Sequence, residues 1–152
     1  MSVCTYHGAE AIAQVTDREG ALTPAQIRIV ELEGFVDGEY TDTKGIKTAG
    51  VGQTGVWLNK PFKDAFAAKE AETIGQIPSY ACLPTLVQAE LVQAHYRGDL
   101  RQSPTAVKLF NQGKYGQAAT EFLNHDEYRN TDRQQIKDRM ESVSSAMWSL
   151  QP

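Results

Sequence analysis

Glu33, Asp42 and Thr48 lie in one continuous segment, Glu33-Gly34-Phe35-Val36-Asp37-Gly38-Glu39-Tyr40-Thr41-Asp42-Thr43-Lys44-Gly45-Ile46-Lys47-Thr48-Ala49-Gly50-Val51-Gly52. Two carboxyl groups and a hydroxyl at this spacing can divide the work of hydrolysing a glycosidic bond. That reaction needs an acid to protonate the leaving oxygen and a carboxylate near the opposite face of the sugar, to activate water or to attack. Glu33 suits the first post and Asp42 the second. The Thr48 hydroxyl can both accept and donate hydrogen bonds, and so can hold a water in line. Gly50 and Gly52 let the backbone run close to a sugar or to a neighbouring strand.

The flanking sequence must place these groups. Thr23-Pro24 reads as a helix N-cap followed by proline at the first helical position. Ile27, Val30 and Leu32 give this helix a mostly apolar side, and Gly34 is expected just beyond its end, which leaves Glu33 at the C-terminal edge. From Phe35 to Trp57 the residues turn to Gly, Thr, Tyr and Val, with turn signals at Asp37-Gly38 and Lys44-Gly45, so short antiparallel strands are expected. A helix end packed on a sheet offers a partly dry wall that favours a protonated Glu, while a hairpin carboxylate stays solvated and charged.

Further along, helices are expected over 61–73, with Phe62 and Phe66 on one face, and over 84–96, 104–111, 116–124 and 131–150. Leu86, Val87, Leu91 and Val92 read as one core stripe, with Val107, Leu109, Phe110, Phe122 and Leu123 supplying others. Residues 1–22 carry little periodicity and read as an N-terminal extension to a single domain over 23–152. The fold class is therefore α+β, mainly α, with a small antiparallel sheet in its N-terminal part.

A length of 152 residues is enough for one domain with a real core. A net charge of −4 without clustered Lys and Arg argues against a nucleic-acid partner. No apolar run is long enough to cross a membrane, and the first twenty residues lack a secretory signal pattern, so no membrane anchor is expected. Cys4 and Cys82 then read as two reduced thiols. His7, His95 and His125 form no metal-ligand pair, and Ser103 and Ser142 lack a nucleophile-elbow pattern. Trp57 and Trp148 read as packing residues, with Trp57 close enough to the motif to keep stacking on a sugar open, and the charged run 126–139 reads as a solvated helix face.

The order Glu-Gly, then Tyr-x-Asp-Thr-x-Gly, then Thr-x-Gly-x-Gly resembles the phage-type lysozymes, glycoside hydrolase family 24. The resemblance implies Glu33 as general acid, Asp42 as second catalytic carboxylate and Thr48 as the residue that orients water. Tyr40, Gly45, Gly50 and Gly52 fall on family positions, with Tyr40, Gly50 and Gly52 expected at the substrate. It further implies a two-lobed fold with a helical C-terminal lobe and a cleft between the lobes. The implied reaction cleaves the β-1,4 bond between N-acetylmuramic acid and N-acetylglucosamine in bacterial peptidoglycan, by inversion, without metal or cofactor, in a monomer.

Inversion in turn implies carboxyl groups about 6.5–9.5 Å apart. Gln53 departs from the pattern, since the best-known member has His there and an ion pair made by it. A basic residue bracing the Glu is also implied, with Arg133 and Arg139 both open. The implied setting is the host cytoplasm before pore-dependent release to the wall, or a virion. Two other functions stay in view: a lytic transglycosylase on the same bond, and a non-catalytic wall-binding or virion structural module.

Overall fold

The structure, a computed structural model, describes residues 3–152, so the first two positions of the expected N-terminal extension lie outside it. Helix accounts for 62% and strand for 9%, which makes the fold mainly helical α+β with one three-stranded antiparallel sheet. The chain divides into two compact units, residues 1–69 and 70–152.

The first unit contains β1 (Thr5–Tyr6), α1 (Gly8–Glu19), α2 (Pro24–Glu33), β2 (Phe35–Thr41) and β3 (Lys47–Gly50), and α3 (Phe62–Gln76) starts in it. Residues 1–22, read from sequence as an extension, thus carry a strand and a helix. β1 pairs with β2 through Thr5 opposite Val36 and Tyr6 opposite Phe35. Helix α1 buries Ala11 and Val15 and starts at His7 with no side-chain cap, so no capping residue announces it in the sequence. It ends where the Glu19 carboxylate accepts from the backbone N–H groups of Phe62 and Lys63, both at 2.8 Å. Those donors open α3, so an acidic side chain satisfies a helix start.

In α3, Phe62 and Phe66 are both buried, with ring centroids 6.0 Å apart, as the four-residue spacing predicts. Each buried ring contributes about 1.5–3 kcal/mol by leaving water.

The second unit holds α4 (Thr85–Arg97), α5 (Pro104–Asn111), α6 (Tyr115–Leu123), α7 (Asp126–Asn130) and α8 (Gln134–Trp148). Its core gathers Leu91, Val92, Phe110, Phe122, Met140 and Met147, each at most 1% exposed. Small residues let α6 and α8 meet closely: Ala118 and Ala119 are fully buried, and the Ser144 hydroxyl donates to the Ala119 carbonyl at 2.9 Å.

Two expectations in the second unit need correction. Leu86 leaves the α4 stripe and stands 70% exposed in the first turn of the helix, whereas Glu90 and Gln93, on the same side further along, are buried at 4% and 0%. Within the charged run, Asp126–Asn130 is a separate short helix, opened by the His125 ring, whose Nδ1 accepts from the Glu127 N–H at 3.1 Å.

Candidate active site

The position of Glu33 follows from how α2 starts, which face it buries and how it stops. Thr23 and Gln26 form a capping box: the Thr23 hydroxyl accepts from the Gln26 N–H at 3.2 Å, and the Gln26 amide oxygen accepts from the Thr23 N–H at 2.9 Å. The buried face is Ala25, Gln26, Ile29 and Val30, while Ile27 and Leu32, expected on it, are only half-buried. Glu33 stands four residues after Ile29 and three after Val30, so the helical period carries it onto this inner side. There it is half-buried.

Gly34 stops the helix at φ 76°, with its N–H on the Val30 carbonyl at 2.8 Å. A Cβ at Gly34 would stand 2.9 Å from the Tyr6 carbonyl oxygen, so the close passage of β1 reserves this position for glycine.

Asp42 and Thr48 sit on the β2–β3 hairpin. Asp42 closes its turn: Oδ1 accepts from the N–H groups of Lys44 and Ile46, each at 2.8 Å, an Asx-type arrangement. Gly45 takes φ 80° in that turn, as the Lys44-Gly45 signal predicts. Asp37-Gly38, by contrast, is no turn. Gly38 lies inside β2, where the register shifts between Val36 and Tyr40, so the glycine marks an irregularity in the strand.

Thr48 pairs with Tyr40 across the hairpin and is 5% exposed, and its hydroxyl donates to the Ile46 carbonyl at 3.1 Å. With that proton engaged, the Thr48 oxygen is left as an acceptor.

Beyond Thr48 the chain reverses around Gly50-Val51-Gly52, closed by paired backbone bonds between Ala49 and Gln53 of 3.0 and 2.9 Å. Both glycines have φ 62°. Gly52 brings the backbone against the acid: a Cβ built there would be 3.0 Å from Glu33 Oε1 and 3.5 Å from its Cδ. The glycine therefore leaves space that the Glu33 carboxyl fills.

Gln53 holds this reversal from inside. It is 4% exposed; its amide NH2 donates to the carbonyls of Trp57 and Lys60 at 3.0 and 2.7 Å, and its oxygen accepts from the Val51 N–H at 3.2 Å. A neutral amide thus braces the loop through backbone groups. Its signal in the sequence is a lone Gln directly after Gly-x-Gly, too little to reveal the bracing.

Tyr40 relates the two carboxylates. Burial, and then the negative charges of Asp42 and Glu33, push its phenol above the ordinary value of 10.0. One hydroxyl accordingly feels both acids, and Glu33, Tyr40 and Asp42 share one electrostatic neighbourhood. Beside them, the Asn59 amide donates to Glu39 Oε1 at 2.6 Å, with Asn59 itself at φ 66°.

The chain matches no protein-family model, no curated protein and no solved structure.

Of the two basic residues left open by sequence, Arg133 is exposed at the N-cap of α8, whereas Arg139 is half-buried on that helix, its Nε donating to Gln93 Oε1 at 3.2 Å. Gln93 returns a bond to the Arg139 carbonyl at 3.0 Å and another to Glu90 at 3.1 Å. Trp57 ends a short 3-10 turn, Gly55–Trp57, half-buried, its carbonyl serving Gln53. Cys4 and Cys82 are free and exposed thiols. Among the described residues, no three His, Cys, Asp or Glu gather as a metal site, and no helix is long and apolar enough to cross a membrane.

Proposed function

We propose that this protein is a peptidoglycan muramidase of the phage-lysozyme kind, cleaving the β-1,4 bond between N-acetylmuramic acid and N-acetylglucosamine. The observation that carries this reading is the seating of the Glu33 carboxyl, at a helix end, against Gly52 of the reversal that follows the hairpin bearing Asp42 and Thr48.

In the proposed reaction Glu33 gives its proton to the glycosidic oxygen as the C1–O bond breaks. Water adds to C1 from the opposite face and its proton passes to Asp42, which inverts the anomeric centre. Asp42 is suited to this because both of its backbone bonds fall on Oδ1, which leaves Oδ2 to face the water. Thr48, its own proton held by Ile46, accepts a hydrogen bond from that water. Tyr40 stays protonated at neutral pH and can donate to a sugar oxygen. The enzyme works as a single copy, acting as an endolysin released from the host cytoplasm through a membrane pore or as a virion-borne lysozyme.

The test is digestion of purified peptidoglycan by wild type and Glu33→Gln, with mass spectrometry of the products. Reducing muramic ends that vanish in the variant are expected. Anhydro ends would identify a transglycosylase, and no products from folded wild type would overturn the enzymatic reading.

A further inference from the structure

A groove of about 630 Å³ lies in the second unit between α6 and the end of α8, away in sequence from every residue of the candidate active site. That volume falls within the ~300–1,000 Å³ usual for small-ligand sites. Its wall includes Trp148, which the sequence suggested as a packing residue but which stands 52% exposed. The indole is not a loose surface ring. Gly116 has no side chain where a Cβ would come 2.7 and 3.0 Å from Cζ3 and Cη2, so one edge of the ring is seated on α6 while the rest meets solvent. Gln151 fastens the same corner, its Oε1 accepting from the Gly116 N–H at 2.8 Å, which leaves its NH2 as donor.

Beside the apolar Leu109, the wall carries polar groups of both kinds. Gln117 offers an amide, Thr120 a hydroxyl, Lys114 an ammonium and Glu121 a carboxylate. A fixed, half-open indole among donors and acceptors, with neither sign of charge prevailing, matches a pyranose: axial C–H groups for the ring face, hydroxyls for the fringe. The two glutamine amides add partners for acetamido groups.

We infer that the Trp148 groove is a second saccharide site, separate from the bond-cleaving residues, that holds an N-acetylhexosamine chain. The choice of that chain rests on the muramidase reading, since the same polymer would be held here and cut elsewhere. Such a site would retain the protein on an insoluble wall that its net charge of −4 does little to attract.

The experiment titrates N-acetylglucosamine tetramer into full-length Glu33→Gln and follows the Trp148 indole N–H and the Gln117 and Gln151 side-chain amides by NMR. Saturable shifts at these three groups are expected, and in Trp148→Ala the affinity read at the two remaining glutamine amides should fall about tenfold. Gln117→Ala, a change at an exposed position, should weaken binding without touching the ring seat. In a Glu33 background neither variant should alter turnover of a soluble oligosaccharide, while both should slow clearing of insoluble wall. Shifts confined to residues around Glu33 and Asp42 would overturn the second site and leave the muramidase intact. Shifts at the groove in a protein that cuts no peptidoglycan would keep the saccharide site and sink the enzyme, and silence at all three groups would overturn the groove.

Discussion

The carboxyl of Glu33 rests against Gly52, whose missing side chain would otherwise stand 3.0 Å from Oε1. The contact joins the end of a helix to a hairpin reversal, and it makes the place of the acid depend on a residue without chemistry of its own.

Gly52→Ala should therefore be costly twice over. At φ 62° the new side chain costs about 1–2 kcal/mol of backbone strain, and its methyl displaces the Glu33 carboxyl. Thermal unfolding should register the first effect and peptidoglycan turnover the second. Activity retained in a folded Gly52→Ala protein would contradict a catalytic Glu33 held in this place.

Glu33→Gln keeps the shape and removes the proton. Turnover should fall by about 10²–10⁴-fold, the usual worth of general acid catalysis, with an unchanged circular dichroism spectrum.

Asp42 carries both a structural and a proposed chemical role, and two variants separate them. Asn keeps an oxygen for the Lys44 and Ile46 N–H groups, whereas Ala abandons both, at about 0.5–1.5 kcal/mol per bond. Both variants should lose turnover, and only Asp42→Ala should also lower the midpoint of chemical denaturation. An active Asp42→Asn would remove Asp42 from the mechanism.

Gln53→Ala removes its bonds to the Trp57 and Lys60 carbonyls and to the Val51 N–H, at about 0.5–1.5 kcal/mol for each bond lost. Hydrogen exchange at residues 49–53 should quicken first, because the brace acts there.

Tyr80 gives a pH signature independent of function. Its hydroxyl donates to Glu70 at 2.7 Å, and burial, then that bond and charge, raise its pKa well above the ordinary 10.0. Because the folded state holds this proton more tightly than the unfolded one, its stabilisation is complete below about pH 10 and fades as pH rises toward the folded value. Tyr80→Phe should lower the melting temperature near about pH 8, and should flatten the further drop that sets in above about pH 10.

Local chemistry written in adjacent residues was legible from the sequence. Thr23-Pro24, Gly34 and Lys44-Gly45 each name a backbone conformation, and α2 and the β2–β3 turn follow directly. Features set by partners distant in the chain were not. The two-residue β1 exists only because β2 pairs with it, and α1 shows just two buried positions. Gly38 read as a turn because its flanking residues allow one, whereas cross-strand pairing absorbs it into β2. In the candidate site, residue types and spacing marked Glu33, Asp42 and Thr48, and the family resemblance added Tyr40. The contact of Gly52 with Glu33 and the three bonds of Gln53 needed folded coordinates, since each joins groups through backbone atoms that a sequence does not distinguish.

Helix α2 is pinned at both ends, by the Thr23–Gln26 capping box and by Gly34 under the Tyr6 carbonyl. It behaves as a gauge block of ten residues. Adding or deleting one residue would swing Glu33 by about 100° and shift it by about 1.5 Å, off the inner face and away from Gly52. Insertions are tolerable in most surface segments of such a chain, but the interval from Thr23 to Gly34 should admit substitutions and refuse any change in length.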